Sequence, residues 1–276
     1  MNNAVILNYV TFIYFFSFLA YLLMMIMGKE ILGKIASIIT ITGFAGHSAG
    51  IILRWIESYR LGIGHAPLSN LYESLIFFSW AIILLYLLVE WRIGNKTIGA
   101  FVTPIAFLAM AYSSFSEDAI QPLIPALQSN WLTAHVLTCF FGYAAFALSF
   151  GLSFMYLFKT STGVSRENIF FRLIPESGIL EELSYQMVVI GFLMLTLGII
   201  TGSVWANSAW GTYWSWDPKE TWSLITWFVY AAMLHSRLVS GWRGRKLAVF
   251  SIVGFFCVIF TYLGVNLILS GLHSYA

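Results

Sequence analysis

Five histidines and one tryptophan-rich stretch carry most of the chemistry available to this 276-residue chain. The stretch WANSAWGTYWSWDPKETW, residues 205–222, holds Trp205, Trp210, Trp214, Trp216 and Trp222 among Gly, Ser, Asn, Asp, Pro, Lys and Glu. Tryptophans at a membrane boundary also form aromatic belts. A belt, however, spreads its rings over several helix ends, and here one loop collects them. The histidines are His47, His65, His135, His235 and His273. Neutral imidazole is a good iron ligand, and flat rings offer a stacking surface for a flat iron macrocycle. The two cysteines, Cys139 and Cys257, lie in apolar runs and form no CxxC. That excludes a thioredoxin-like dithiol and a cysteine zinc site within this sequence. No CxxCH is present, so the chain is not itself a c-type cytochrome. Both cysteines read as small buried hydrophobes.

The elements that position these residues are membrane helices. The chain is 59% hydrophobic and 9% charged, with a mean hydropathy of +0.83. A soluble domain carries about 25% charged residues, so this chain cannot cover a water-facing surface. The net charge of +2 makes no case for nucleic acid. A span needs about 20 apolar residues, and eight runs qualify: 4–27, 35–56, 70–91, 98–114, 131–158, 183–204, 222–240 and 247–271. The fourth is short and contains Pro104. The first is too long for a signal h-region and lacks a small-residue cleavage site. The fold class is therefore an all-α polytopic bundle of about eight helices, a single membrane domain over residues 1–276, with 205–222 as a loop inside it.

Lysine and arginine give the expected orientation. With the N-terminus outside, eleven basic residues fall on the inner side and three, Arg54, Arg60 and Lys219, on the outer side. Both termini are then outside. His135 lies one turn into the fifth span and His273 at the end of the eighth, both at the level of the Trp-rich loop. His235 lies about 20 Å from the outer end of the seventh span at 1.5 Å per residue. An ionisable group inside a span is a functional candidate. His47 sits mid-span among small residues, and His65 is in a loop. Arg54 and Glu73 face each other across that loop, as a structural ion pair or as a holder of a propionate or substrate. Asp217, Lys219 and Glu220 set polarity, orient propionates, or cap the helix that follows.

The segment WGTYWSWDPKETW resembles the WWD signature of haem-handling proteins in cytochrome c biogenesis. The order His135, WWD, His235 and GLHSY resembles the CcsA (ResC) family of the system II pathway, and HAPLSNLYES resembles its N-terminal half. The resemblance implies that His135 and His273 are the axial ligands of an outer haem and catalytic positions. It implies that Trp205, Trp210, Trp214, Trp216, Asp217 and Trp222 cradle the haem edge. It also implies that His235 binds haem on its way outward, its opposing ligand coming from a partner protein, with His47 as a local alternative.

The implied activity is that of a holocytochrome c synthase (haem lyase), acting on haem b as substrate and on the CxxCH of apocytochrome c. A CcsB/ResB-type membrane partner and thiol-reducing proteins of the pathway are implied with it. The implied location is a bacterial plasma membrane with the active face outside, or a thylakoid. The rival reading is a haem exporter or chaperone without synthase activity, of the CcmC or CcmF kind.

Overall fold

The computed structural model describes residues 3–161 and 169–269. Among these residues the chain is helical: α1 (Asn3–Met27), α2 (Glu30–Arg60), α3 (Leu71–Ile93), α4 (Gly99–Ser113), α5 (Asn130–Thr160), α6 (Ile169–Leu173), α7 (Ser177–Trp210), α8 (Pro218–Leu238), α9 (Arg245–Ile259) and α10 (Val265–Ile268). A π turn, Phe260–Gly264, joins the last two. Seven segments are long and apolar enough to cross a membrane: α1, α2, α3, Lys96–Ser113, α5, α7 and Arg245–Ile268. The remaining expected span is α8. Its 21 residues suffice in length, but Lys219, Glu220, His235 and Arg237 lower its hydropathy. Several helices outrun their apolar cores, since backbone hydrogen bonding does not stop where hydropathy does. Thus α2 exceeds the expected 35–56, and α7 the expected 183–204, at both ends.

The described residues form two compact units. Unit 1 is Met1–Leu123 with Phe158–Ile179; unit 2 is Ile124–Leu157 with Leu180–Ala276.

Unit 1 is built on the α1–α2 pair. The buried face of α2 is Gly33, Ala36, Ser37, Thr40, Gly43, His47, Gly50, Arg54 and Ser58, while Ile31, Ile35, Ile38, Ile41 and Ile52 are exposed. This inverts the pattern of a soluble helix. Lipid tails are as apolar as leucine, so burying isoleucine gains little in a membrane and close packing of small residues wins. A Cβ at Gly33 would stand 2.5 Å from Met24 Sδ, and one at Gly50 2.7 Å from Leu7 Cδ2.

The polar groups along this seam satisfy one another. Tyr14 Oη meets His47 Nδ1 at 3.1 Å, and Ser17 meets Thr40. The Glu90 carboxylate accepts from Tyr21 at 2.9 Å, from Tyr86, from Ser37 and from Lys96 Nζ at 2.8 Å. A buried charge costs several kcal/mol unless it is saturated in this way.

At the other end of α2, Arg54 Nε pairs with Glu73 Oε1 at 2.8 Å. Arg54 Nη1 donates to the Asp118 carbonyl at 2.8 Å. Ser69 donates to Glu73 Oε2 through its amide and its hydroxyl, and Asn70 caps α3 by accepting from the Glu73 amide. The ion-pair alternative for Arg54 and Glu73 is thus realised.

Unit 2 joins most of α5 and α7 to α8, α9 and α10. α7 approaches α5 along Gly191, Gly198 and Gly202. A Cβ at these positions would stand 2.6 Å from Phe146, 2.5 Å from Cys139 Sγ and 2.5 Å from His135 Nδ1. A run of serine hydroxyls crosses the interior: Ser251 to Ser149 at 2.7 Å, Ser149 to Ser184 at 2.8 Å and Ser184 to Ser153 at 2.9 Å. Tyr230 of α8 stacks on Phe146 at 3.6 Å and 5°, in the space left by Gly254. Thr226 meets Thr261 of the π turn at 3.0 Å.

Candidate functional site

His135 lies in the second turn of α5, and its ring is held by the backbone of α7. Nδ1 is 2.7 Å from the Gly198 carbonyl oxygen. A carbonyl only accepts, so Nδ1 carries the proton and the lone pair lies on Nε2. Metal-binding histidines are set in this way, one ring N–H fixed by a carbonyl or carboxylate and the other nitrogen left as donor. The bond is possible because Gly202 has no side chain where the ring lies. Trp205, on the same helix, lies nearly parallel to the imidazole at 6.1 Å and 17°. Trp205 is 1% exposed, and its Nε1–H donates to the Ala126 carbonyl at 2.8 Å. Cys139, one turn further along α5, has its Sγ 3.7 Å from Nδ1.

The Trp-rich stretch is not one loop. Trp205 and Trp210 belong to α7, and Pro218 to Trp222 open α8. The irregular part is 211–217. Trp210 meets Trp205 edge-on at 5.1 Å. Gly211 ends α7 at φ +81, with its amide on the Asn207 carbonyl at 3.0 Å. Trp214 and Trp216 are perpendicular at 5.7 Å. Trp216 is 68% exposed and has φ +60, the one non-glycine residue with positive φ among the described residues. Bulky residues rarely adopt this conformation, which costs of order 1–3 kcal/mol and collects at functional sites. Trp222 packs on Phe260 of the π turn at 4.2 Å, and its carbonyl accepts from Thr261 at 3.2 Å.

Of the three roles open to the acidic residues, capping is what the structure displays. Asp217 Oδ1 accepts from the Lys219 amide at 2.9 Å, and Glu220 Oε2 reaches back to the Asp217 amide at 3.2 Å. This is a capping box with proline at the first helical position. Glu220 Oε2 also accepts from the Ser215 amide at 2.7 Å, so one carboxylate ties the irregular segment to α8. Burial pushes the Lys219 ammonium down to about 8, with Asp217 acting in the opposite direction.

The other histidines fall in different surroundings. His235 lies in the last turns of α8. Seventeen residues separate it from Pro218, or about 26 Å. It is exposed, on the same stripe as the exposed Ile225, Phe228 and Ala232. His47 belongs to unit 1 and is fully buried; Tyr14 holds its Nδ1, and its Nε2 has no hydrogen-bond partner. His65, also in unit 1, lies with Nδ1 2.8 Å from the Ala66 carbonyl and Nε2 3.0 Å from the Gln121 carbonyl. His273 lies outside the described residues. Gly198 and Gly202 are part of the His135 seat and were missed from the sequence; the GIITG run carrying them is a small-xxx-small motif, the signal that could have found them.

Comparison with known proteins gives the family. The model of the cytochrome c assembly protein family matches residues 68–273. The cytochrome c biogenesis protein CcsA of Chlamydomonas reinhardtii is 46% identical over 234 residues, 82% of this chain and 64% of that protein. The chain belongs to the CcsA family of cytochrome c assembly proteins. It therefore spans somewhat under two thirds of the length of the algal CcsA. A CcsA of Prochlorococcus marinus (strain MIT 9303) is 42% identical over 258 residues, 83% of this chain and 80% of that protein. Among solved structures, cytochrome c heme lyase CcmF matches with a TM-score of 0.69 at 16% identity, over 96% of this chain and 46% of that one. That likeness is one of fold. Within this chain, the family match covers His135, His235, His273 and the whole Trp-rich stretch, and leaves α1, α2, His47 and His65 outside.

Proposed function

We propose that this chain is the haem-handling subunit of a cytochrome c synthase, binding haem b at the outer membrane face and presenting it to the CxxCH of apocytochrome c. The observation that carries the reading is the His135 seat. Its Nδ1–H is held at 2.7 Å by the Gly198 carbonyl, which puts the neutral lone pair on Nε2, and the ring of Trp205 lies parallel to the imidazole. His273 supplies the second axial ligand. Trp205, Trp210, Trp214, Trp216 and Trp222 line the macrocycle, and Asp217 holds the turn in shape.

Each apocytochrome thiol adds across one haem vinyl group. A C–S bond and a C–H bond form, the S–H and the C=C π bond are consumed, and no net oxidation occurs. The chain's residues supply position, which lowers a barrier by about 7–11 kcal/mol when geometry is right. The incoming CxxCH histidine replaces one of the two axial imidazoles, and the product leaves with its own ligand.

His235 binds haem on its way to that site. Its place on an exposed apolar stripe of α8 supports an opposing ligand from a CcsB/ResB-type partner over one from buried His47. The charge asymmetry of eleven to three supports a location of both termini, and of the site, outside the plasma membrane or on the equivalent thylakoid side. Thiol-reducing proteins keep the CxxCH thiols available.

The test is an absorption spectrum of the purified chain with its partner, followed by addition of an apocytochrome peptide. A low-spin bis-histidine spectrum, lost in His135→Gly and His273→Gly and restored by imidazole, is expected, with thioether product on adding peptide. Haem bound without any thioether product leaves delivery alone. No haem in any sample overturns the reading.

A further inference from the structure

One cavity in unit 2 lies away from the Trp-rich stretch, at the C-terminal end of α8. It measures about 10 Å3 and is lined by Arg237, Glu181, Ser153, Ser184, Tyr156 and Met233, among others. Arg237 is 8% exposed, and its guanidinium lies over the Tyr185 ring at 3.7 Å. Nη2 donates to Glu182 at 2.7 Å. Nη1 is buried and has no hydrogen-bond partner, because Glu181 Oε1 stands 3.7 Å away. Glu181 Oε2 is engaged by the Gly244 amide at 3.0 Å. A guanidinium N–H and a carboxylate oxygen separated by more than 3.5 Å across a polar void is the arrangement that a water fills.

The serine run points to the same place. Four hydroxyls, Ser251, Ser149, Ser184 and Ser153, are linked by three contacts. Each hydroxyl has one proton to give; three serve the links and that of Ser184 has the Ser149 carbonyl at 3.4 Å, so the end hydroxyl keeps an oxygen lone pair for a donor. Ser153, at one end, lines the cavity. A void needs roughly 10–15 Å3 and two to four polar partners to hold a water, and this one has both.

We propose that the cavity holds one ordered water, which accepts from Arg237 Nη1 and gives its protons to Glu181 Oε1 and the serine run. The water completes a hydrogen-bonded chain from the Arg237–Glu181–Glu182 cluster to Ser251, in mid-α9. Beyond the direct Arg237–Glu182 contact, it ties the end of α8 that carries His235 to α5, α7 and α9. Apolar packing of the same void would strand the guanidinium.

X-ray radiolytic labelling tests this, because hydroxyl radicals form at bound waters and oxidise the side chains beside them. The whole chain in nanodiscs, in H2(18)O, is irradiated and digested. Met233 lines the cavity and is 2% exposed, whereas Met187 is 7% exposed and Met155 fully buried, neither on the cavity wall. Oxidation of Met233 several-fold faster than of Met187 or Met155 is expected. Met233 as protected as Met155 overturns the proposal. In Ser153→Val, which fills the void, Met233 should fall to the Met155 level; persistent labelling in a monodisperse sample also overturns it. Should that variant fail to fold, the wild-type ratio decides.

Discussion

The two units answer the same problem, polar groups among membrane helices, in opposite ways. In unit 1 each buried charge is met by several polar groups at once. Glu90 collects three hydroxyls and a lysine, and Arg54 collects Glu73 and two loop carbonyls. Such groups are fully occupied by structure. In unit 2 the residues with chemistry are held by backbone groups. His135 is held through Nδ1, Trp205 through its indole N–H, and Asp217 through the cap of α8. The difference teaches that charge within a span does not by itself mark a site; the manner of its neutralisation does.

The sharpest break in this comparison is ligand removal. His135→Gly should abolish the bis-histidine spectrum and cytochrome c maturation, with imidazole restoring the former. An unchanged spectrum would move the site elsewhere. Next comes Arg54→Ala in unit 1, which strands Glu73 in the interior. Breaking one side of a buried pair costs about 3–5 kcal/mol, so thermal unfolding should shift strongly while haem bound per folded molecule stays constant. Loss of haem from folded protein would show unit 1 to be more than a scaffold.

Gly202→Ala sharpens the contrast. Its Cβ would stand 2.5 Å from His135 Nδ1, displacing the ring from the Gly198 carbonyl. Loss of such a supporting contact lowers affinity by about 10–100-fold, readable by haem titration. Gly43→Ala, whose Cβ meets Tyr14 at 2.9 Å, should lower stability without moving the titration. The smallest stability effect belongs to Ser149→Ala. Interhelical hydrogen bonds in membranes average about 0.6 kcal/mol, a shift of that order in the denaturation midpoint.

Lys219 gives a pH signature. Its ammonium titrates near 8 when folded and near 10.5 otherwise. Between those values the unfolded chain binds the extra proton, so stability rises with pH across that window and the burial penalty is fully present below it. Lys219→Met should flatten the rise. An equal slope in the variant would refute the assignment.

Much of this was legible in the sequence. Hydropathy found every long helix, because a membrane allows few other forms. It placed their ends poorly where polar residues continue the helix, as at Glu30, Arg60 and Ser177. The Trp-rich stretch was legible as a shaped element, and Pro218 with Glu220 as a helix start. That Trp205 and Trp210 ride on α7 was not, since nothing in a run of Trp, Ala, Asn and Ser marks where a helix stops before Gly211. The Gly198 carbonyl that seats His135 was out of reach, because backbone groups have no letter of their own. The division into two units was hidden too, as it depends on which helices touch.

Unit 1 takes back a piece of chain after unit 2 has begun. Residues 158–179 return to it, where Asn95 Nδ2 donates to the Leu173 carbonyl at 3.2 Å and Lys159 Nζ to the Ile174 carbonyl at 3.1 Å. On the ribosome, α1 to α4 emerge first yet cannot finish their unit until residue 174 has been made. At roughly 5–20 residues per second, the fifty or so residues after Leu123 impose a wait of several seconds. In that interval α5 must already have been handed to the bilayer, so insertion of the second unit's first helix is a condition for closing the first.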